Sequence, residues 1–301
     1  MNTEKRFQIL HGDCRDVLAS VESNSISCVI TDPPYNYEFI GRNWNHDEIQ
    51  RRMERVQDSS TLVKNIPYGS GLAGGVRNER WYQRNRENVV QYTEWATEWS
   101  NELIRVCKSG AIVAVFSSTR TLAHVQIALE EAGFYARDVL VYRRHSGIPK
   151  GLNIEKKLDK LGNENAHDWN GWHTCLRNEW EAIVVVQKPL KNNYIETIQE
   201  SGVGAFKAIL PDGSFQSNIL EGFSKGRDEK FDEHCTIKPI SLIKRLLELF
   251  LPKDEKHIVL DPFSGTGTTL VAALELGYNA IGIEIEQKYI DVIKKRLDKF
   301  N

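Results

Sequence analysis

No two cysteines among these 301 residues stand at CxxC spacing, and no Cys/His cluster has the spacing of a zinc site. Cys14, Cys28, Cys107, Cys175 and Cys235 are scattered, which argues for reduced thiols in a cytoplasmic protein and against a metal site. No run approaches the roughly 18 apolar residues of a membrane span. The opening MNTEKRFQIL also has no apolar core segment, so the expectation is a soluble chain without a membrane partner. An excess of one charge is missing too. With a formal net charge of −2, no global field draws the chain to nucleic acid, and any such contact must come from local basic patches. There is no internal repeat, no low-complexity tract, and no GK[ST] element to hold a triphosphate. The eight histidines form no catalytic constellation.

What is present is alternation. A hydrophobic content of 41% over this length suits one large α/β domain or two small ones with a real core. Apolar, β-branched runs at 26–30, 111–116, 136–142, 182–186, 257–260 and 280–284 alternate with helix-period stretches at 92–107, 119–132, 240–251 and 287–299. In the first of those helices Trp95, Trp99, Leu103 and Val106 share one face. This pattern predicts βαβ units around a mostly parallel sheet. The stretches 37–90 and 145–180 read as polar or irregular, and 191–235 as loop-rich.

Two turns carry the chemistry. The run Ile26 to Ile30 ends in Thr31-Asp32-Pro33-Pro34-Tyr35-Asn36. Two prolines supply no backbone donors and hold φ near −65°, so the chain there can neither extend the sheet nor freely begin a helix. An acid, a stiff donor-free turn and a flat ring suit a planar ligand bearing N–H donors; a polar turn with a packing tyrosine is the plainer alternative. The second turn, Asp261-Pro262-Phe263-Ser264-Gly265-Thr266-Gly267-Thr268-Thr269, lies between a strand and a helix. Gly265 and Gly267 permit a tight turn close to a ligand, and Thr268 and Thr269 are expected to satisfy the N–H groups that open the helix. Glu284 closes the next strand 23 residues after Asp261, where doubly wound folds place the acid that takes a ribose. A threonine replaces the third glycine of GxGxxG, which argues against a dinucleotide.

Together, TDPPYN near the start and DPFSGTGTT near the end resemble the amino-methylating DNA methyltransferases, in the permuted β-group order where the catalytic motif precedes the cofactor motif. His11-Gly12-Asp13-Cys14, the HCTIKP segment at 234–239 and GIEIEQKYIDVIKKRL at 282–297 are similar to the same pattern, with Cys235 where members commonly have proline. GIPKGLNI and VVQKPL look similar to adenine-specific phage-type members.

The resemblance implies a doubly wound, Rossmann-like α/β methyltransferase sheet with inserted target-recognition segments. A single catalytic domain would span 1–301, with a DNA-contacting loop region at 37–90 and a target-recognition region at 145–235. It also implies S-adenosylmethionine. Glu284 would take its ribose, and the turn of Asp261, Phe263, Gly265, Thr266, Gly267 and Thr268 would surround its methionine part. Lys238 with Thr236 would lie near its carboxylate, Asp13 with Cys14 beside its adenine, and Asp32 where cofactor and target meet. Asp32, Pro33, Pro34 and Tyr35 would be catalytic. The Asp32 carboxylate and Pro33 carbonyl accept both N–H bonds of an exocyclic amine, favouring a pyramidal nitrogen, and Tyr35 stacks on the extruded base.

For DNA contact the candidates are Arg77, Arg80, Arg84 and Arg86, interleaved with Trp81 and Tyr82, and a second group of Arg143, Arg144 and Lys150. A solvated loop paired with the acids at 228–233 is the competing reading of the first group. The tryptophans at 44, 81, 169, 172 and 180 are expected mostly to pack. The function implied is adenine-N6 methylation of double-stranded DNA by a monomer or homodimer, with room for a cognate restriction endonuclease. Cytosine-N4 methylation is the runner-up, since those members more often begin the motif with serine. RNA or protein methylation and a non-catalytic cofactor-binding module complete the alternatives.

Overall fold

The computed structural model describes residues 6–35, 79–144, 151–226 and 237–300. Two compact units divide the chain: Met1–Tyr35, Tyr92–Arg144 and Trp180–Asn301 form one, and Asn36–Gln91 with His145–Glu179 form the other.

The larger unit is built on one eight-stranded sheet. Its strands are β1 (Phe7–His11), β2 (Ile26–Thr31), β3 (Cys107–Ser117), β4 (Tyr135–Arg143), β5 (Trp180–Gln187), β6 (Ile219–Leu220), β7 (Ile258–Asp261) and β8 (Asn279–Glu284). Their spatial order is β1-β8-β7-β2-β3-β5-β4-β6. All neighbours pair in parallel except β5, which runs antiparallel between β3 and β4. The burial of each strand follows its composition. Every residue of β2 (ISCVIT) is buried, and so is most of β3 and β5, as expected of strands covered on both faces. β4 is less covered, with Ala136 and Asp138 exposed and Leu140 and Tyr142 buried, and only the two-residue β6 lies beyond it.

The helices are α1 (Cys14–Val17), α2 (Glu79–Val106), α3 (Leu122–Glu131), α4 (Ile154–Lys160), α5 (Tyr194–Ser201), α6 (Ile240–Phe250), α7 (Thr268–Glu275) and α8 (Gln287–Leu297). The helix expected from residue 92 begins earlier, at Glu79, so the segment bearing Arg80, Arg84 and Arg86 is helical rather than a loop. It also stops one residue sooner. Cys107 opens β3, and the break expected at residues 108–110 is an irregularity in that strand's pairing, with Gly110 at φ 81°. The stretch read as loop-rich holds α5 and β6. Asn193 caps α5 by accepting from the Glu196 N–H at 3.0 Å and donating back to its carboxylate at 2.7 Å, and Gly202 ends it at φ 74°.

In the second unit, α4 is capped by Asn153, and an isolated bridge joins Asn153 to His173. Trp169 and Trp172 meet edge to face at 5.6 Å and otherwise stand exposed.

Candidate active site

The strand order reverses between β2 and β7. From β2 the chain passes to β3 on one side, and from β7 to β8 on the other. Ligands of open parallel sheets bind beyond the carboxyl ends of strands at such a reversal. Here both strands end in Asp-Pro.

At the end of β7, Asp261 is buried, and its Oδ1 accepts from the Thr31 hydroxyl at 2.7 Å and the Phe263 N–H at 3.1 Å. Burial raises its carboxyl to about 6 against the lowering effect of those bonds. The Ser264 hydroxyl donates to the Asp261 carbonyl at 2.8 Å, and the Ser264 N–H to the Ile283 carbonyl at 2.9 Å. Gly265 and Gly267 adopt φ of 51° and 80°, the left-handed conformation that glycine takes without strain. Gly267 caps α7 with no side-chain bond, so the threonines do not cap as expected. Thr269 instead donates to the Ile30 carbonyl at 3.3 Å, and Thr266 and Thr268 accept from Arg296 of α8. Arg296 also donates to the Thr266 carbonyl at 2.6 Å. Phe263 packs on Trp95 and Trp99, with ring centroids 5.5 and 5.6 Å away.

Glu284 lies buried across this turn. Its Oε2 accepts from the Gly265 N–H at 2.7 Å and its Oε1 from the Glu286 N–H at 2.9 Å. Burial raises its carboxyl to about 7, opposed by these backbone donors. Asp13 is more fully engaged than expected: Arg15 binds both its oxygens and continues to Glu98 at 2.7 Å, while Asp13 caps α1. The Arg15 hydrogen bonds hold its carboxyl below the ordinary range. Cys14 beside it is buried, and desolvation pushes its thiol well up, so it acts as a neutral packing group.

The turn after β2 is different. Tyr92 donates its hydroxyl to the Pro34 carbonyl at 3.0 Å, whereas among the described residues no donor reaches the Pro33 carbonyl. Asp32 Oδ1 and the Tyr35 hydroxyl are buried without hydrogen-bond partners among those residues. Burial, reinforced by the negative charges of Asp32 and Glu181, raises the Tyr35 phenol well above its usual range and keeps it neutral.

Lys238, expected near a cofactor carboxylate, reaches the turn after β2. Its ammonium hydrogen-bonds Asp32 Oδ2, lies 3.3 Å from Glu181 Oε2, and sits 5.0 and 5.4 Å from the ring centroids of Phe116 and Tyr35. Burial disfavours the charged amine, but the two carboxylates outweigh it and leave the pKa raised. Arg144, expected on DNA, pairs with Glu181 Oε1 at 2.9 Å because β5 runs antiparallel beside β4 and brings Glu181 to the end of that strand. Glu181 was not anticipated. Its one signal is an acid at the head of an otherwise apolar strand, WEAIVVV.

Arg143 is exposed and makes a long contact of 3.4 Å to Glu221. Arg86 is exposed on α2. Thr236, Arg77 and Lys150 lie outside the described residues, and Arg80 and Arg84 are placed only as helical positions of α2. Among the described residues, no group of His, Cys, Asp and Glu could hold a metal ion, and no helix is long and apolar enough to cross a membrane.

Comparison with known proteins agrees with this geometry. The chain is 30% identical over 303 residues to the Type II methyltransferase M.HindIII of Haemophilus influenzae, covering 96% of this chain and 94% of that one. It is 29% identical to the Type II methyltransferase M.HinfI of Haemophilus influenzae, covering 96% and 67%. The fold is similar to that of the solved M1.HpyAVI complex with S-adenosylmethionine, with a TM-score of 0.57 and 19% identity over 97% of this chain and 99% of that one. It is likewise similar to the cytosine-N4-specific PvuII DNA methyltransferase, with a TM-score of 0.59 and 14% identity over 98% and 89%. These neighbours share the Rossmann-like methyltransferase sheet. The N6/N4 DNA methylase pattern matches residues 26–295, a span that takes in both Asp-Pro turns and every strand but β1, so the chain belongs to that DNA methylase family.

Proposed function

We propose that this DNA methylase transfers a methyl group from S-adenosylmethionine to N6 of adenine in double-stranded DNA. The observation that carries the reading is the pair of open acceptors at the end of β2, Asp32 Oδ1 and the Pro33 carbonyl, matching the two N–H bonds of an exocyclic amine. When bound, S-adenosylmethionine supplies an electrophilic methyl group on a sulfonium. The residues at the end of β7 fit it: Glu284 is a buried carboxylate able to accept from ribose hydroxyls, and the turn at Gly265 and Gly267 is already formed.

An amine conjugated to a purine ring is a poor nucleophile. Asp32 and Pro33 hold its hydrogens so that the nitrogen pyramidalises, and the field of Asp32 favours the positive charge the nitrogen acquires. Tyr35 supplies the neutral ring against which the extruded base stacks, a contact worth about 1–3 kcal/mol. An aspartate at position 32 favours adenine, since members of this group that act on cytosine N4 more often begin the motif with serine. Exposed Arg86 and Arg143, with Arg80 and Arg84 on the same helix as Arg86, supply candidate phosphate contacts. The Type II relatives support a modification role beside a restriction endonuclease.

Mass spectrometry of nucleosides from DNA treated with the purified protein tests the reading. N6-methyladenine is expected; N4-methylcytosine would keep the geometry and reverse the base.

A further inference from the structure

We infer that Glu181 is a positioning residue for methyl transfer, a second carboxylate that shares the Lys238 ammonium bonded to Asp32 and can draw it from the charge that Asp32 must offer to the target amine. The inference rests on the assignment of Asp32 to that amine. Around the end of β2 lie two carboxylates and two cations. Asp32 and Glu181 share Lys238, and Arg144 takes the other oxygen of Glu181. Lys238 and Glu181 are largely withdrawn from water, with side-chain exposures of 9% and 13%, so their charges act on one another with little screening. The ammonium is confined further by the rings of Phe116 and Tyr35.

This arrangement poses a difficulty that Glu181 resolves. As the nitrogen lone pair forms the new carbon–nitrogen bond, the carbon–sulfur bond breaks with its electrons left on sulfur, and positive charge moves onto the nitrogen before a proton departs. Asp32 favours that charge, but an ammonium bonded to its other oxygen opposes it. Glu181 supplies a competing carboxylate on the far side of the same ammonium. Its Oε2 receives no aligned hydrogen bond in the present arrangement, so it can take Lys238 without surrendering another partner. Arg144 holds Glu181 in place at Oε1. Without Glu181, Lys238 would rest on Asp32 alone.

The test is a double-mutant cycle on the full chain, with kcat measured at saturating cofactor and DNA. Glu181→Gln should lower kcat by about tenfold to a hundredfold, the scale of one misdirected charge in a water-poor site. Calorimetric affinity for S-adenosylmethionine should stay within about twofold, which also reports a folded site. In a Lys238→Met background the same Glu181→Gln change should have little further effect, because the charge it manages is gone. Glu181→Asp should retain most of kcat, and the same cycle with Glu181→Ala carries the test if the glutamine form does not bind cofactor. Equal losses in both backgrounds would overturn the inference by showing that Glu181 acts without Lys238, and so would an unchanged kcat with a raised KM for DNA. Turnover surviving in Asp32→Ala would instead remove the assignment of Asp32, a separate failure.

Discussion

Asp32 and Asp261 begin the same dipeptide at the ends of neighbouring parallel strands, yet the molecule uses them in opposite ways. Asp261 is engaged by its own chain, with Thr31 and the Phe263 N–H on one oxygen. Asp32 keeps Oδ1 open and holds Lys238 on the other oxygen. A turn that must keep its shape whether or not a ligand is present satisfies its polar groups internally, whereas a turn that does chemistry leaves acceptors for groups that arrive later. The open acceptors cost stability, since a buried polar group without a partner costs about 1–3 kcal/mol.

The sharpest way to break the comparison is to make one substitution at both places. Asp32→Ala should lower single-turnover methylation by at least about 10²–10³-fold, the typical loss for a preorganised electrostatic partner, with cofactor affinity nearly unchanged and a smaller loss of stability than at Asp261, because Lys238 keeps Glu181. Asp261→Ala should do the reverse. It leaves one buried and one half-buried donor unpaired and should destabilise the fold by about 2–4 kcal/mol in chemical denaturation, weakening cofactor binding through the turn that Asp261 braces. If both variants lose stability equally, the two aspartates do the same job and the contrast fails.

Much of this contrast was legible from composition, and the unread part has a common cause. The buried strands β2, β3 and β5 announce themselves as unbroken apolar runs, and the two Asp-Pro turns follow strands that could be located. β1 did not, because FQILH is a short edge strand with exposed positions on a single neighbour, β8. The cap and stop of α5 were visible in Asn193, Glu196 and Gly202, but the glycines and charges around them read as loop. What no local pattern reveals is which distant side chains meet. Lys238 reaches Asp32 across 206 residues of sequence, and Glu181 reaches Arg144 only because β5 runs antiparallel beside β4. Arg296 crosses onto the glycine turn in the same way, with nothing in KKRL to distinguish it from a solvated helix end.

A finer probe is pH, which should act on Glu284 in two opposed senses. Its carboxyl is raised to about 7 in the folded chain from a reference of 4.5, because burial disfavours the charge. The stability linked to this group is therefore fully present below 4.5 and is lost as pH rises through about 7. Cofactor binding runs the other way, since an ionised carboxylate is the better acceptor for ribose hydroxyls. S-adenosylmethionine affinity should fall as pH drops through about 7, and binding near that pH should release a fraction of a proton. Calorimetry in buffers of different ionisation enthalpy measures that proton directly, and Glu284→Gln should abolish its release. Proton release surviving in that variant would assign it to another group, with Asp261, raised to about 6, the next candidate.

The smallest effect should come from Tyr92, the one donor among the described residues to the backbone of the turn after β2. Fully buried in α2, it donates to the Pro34 carbonyl and leaves that of Pro33 open, so on the proposed assignment it helps decide which carbonyl is left for a target amine. Two consecutive prolines already restrict the turn, and a neutral hydrogen bond contributes a net of about 0.5–1.5 kcal/mol, so removing one hydroxyl should loosen the turn rather than destroy it. Tyr92→Phe keeps the ring and its packing against Trp95, whose centroid lies 5.6 Å away. The expected outcome is a fall in kcat of about threefold to tenfold, the rate equivalent of that energy, with cofactor affinity unchanged because the turn at Gly265 is held by its own bonds. A loss of cofactor affinity equal to the loss in kcat would show that the two turns are not braced independently. A variant as fast as the parent would leave the prolines alone as the support of the Pro33 carbonyl.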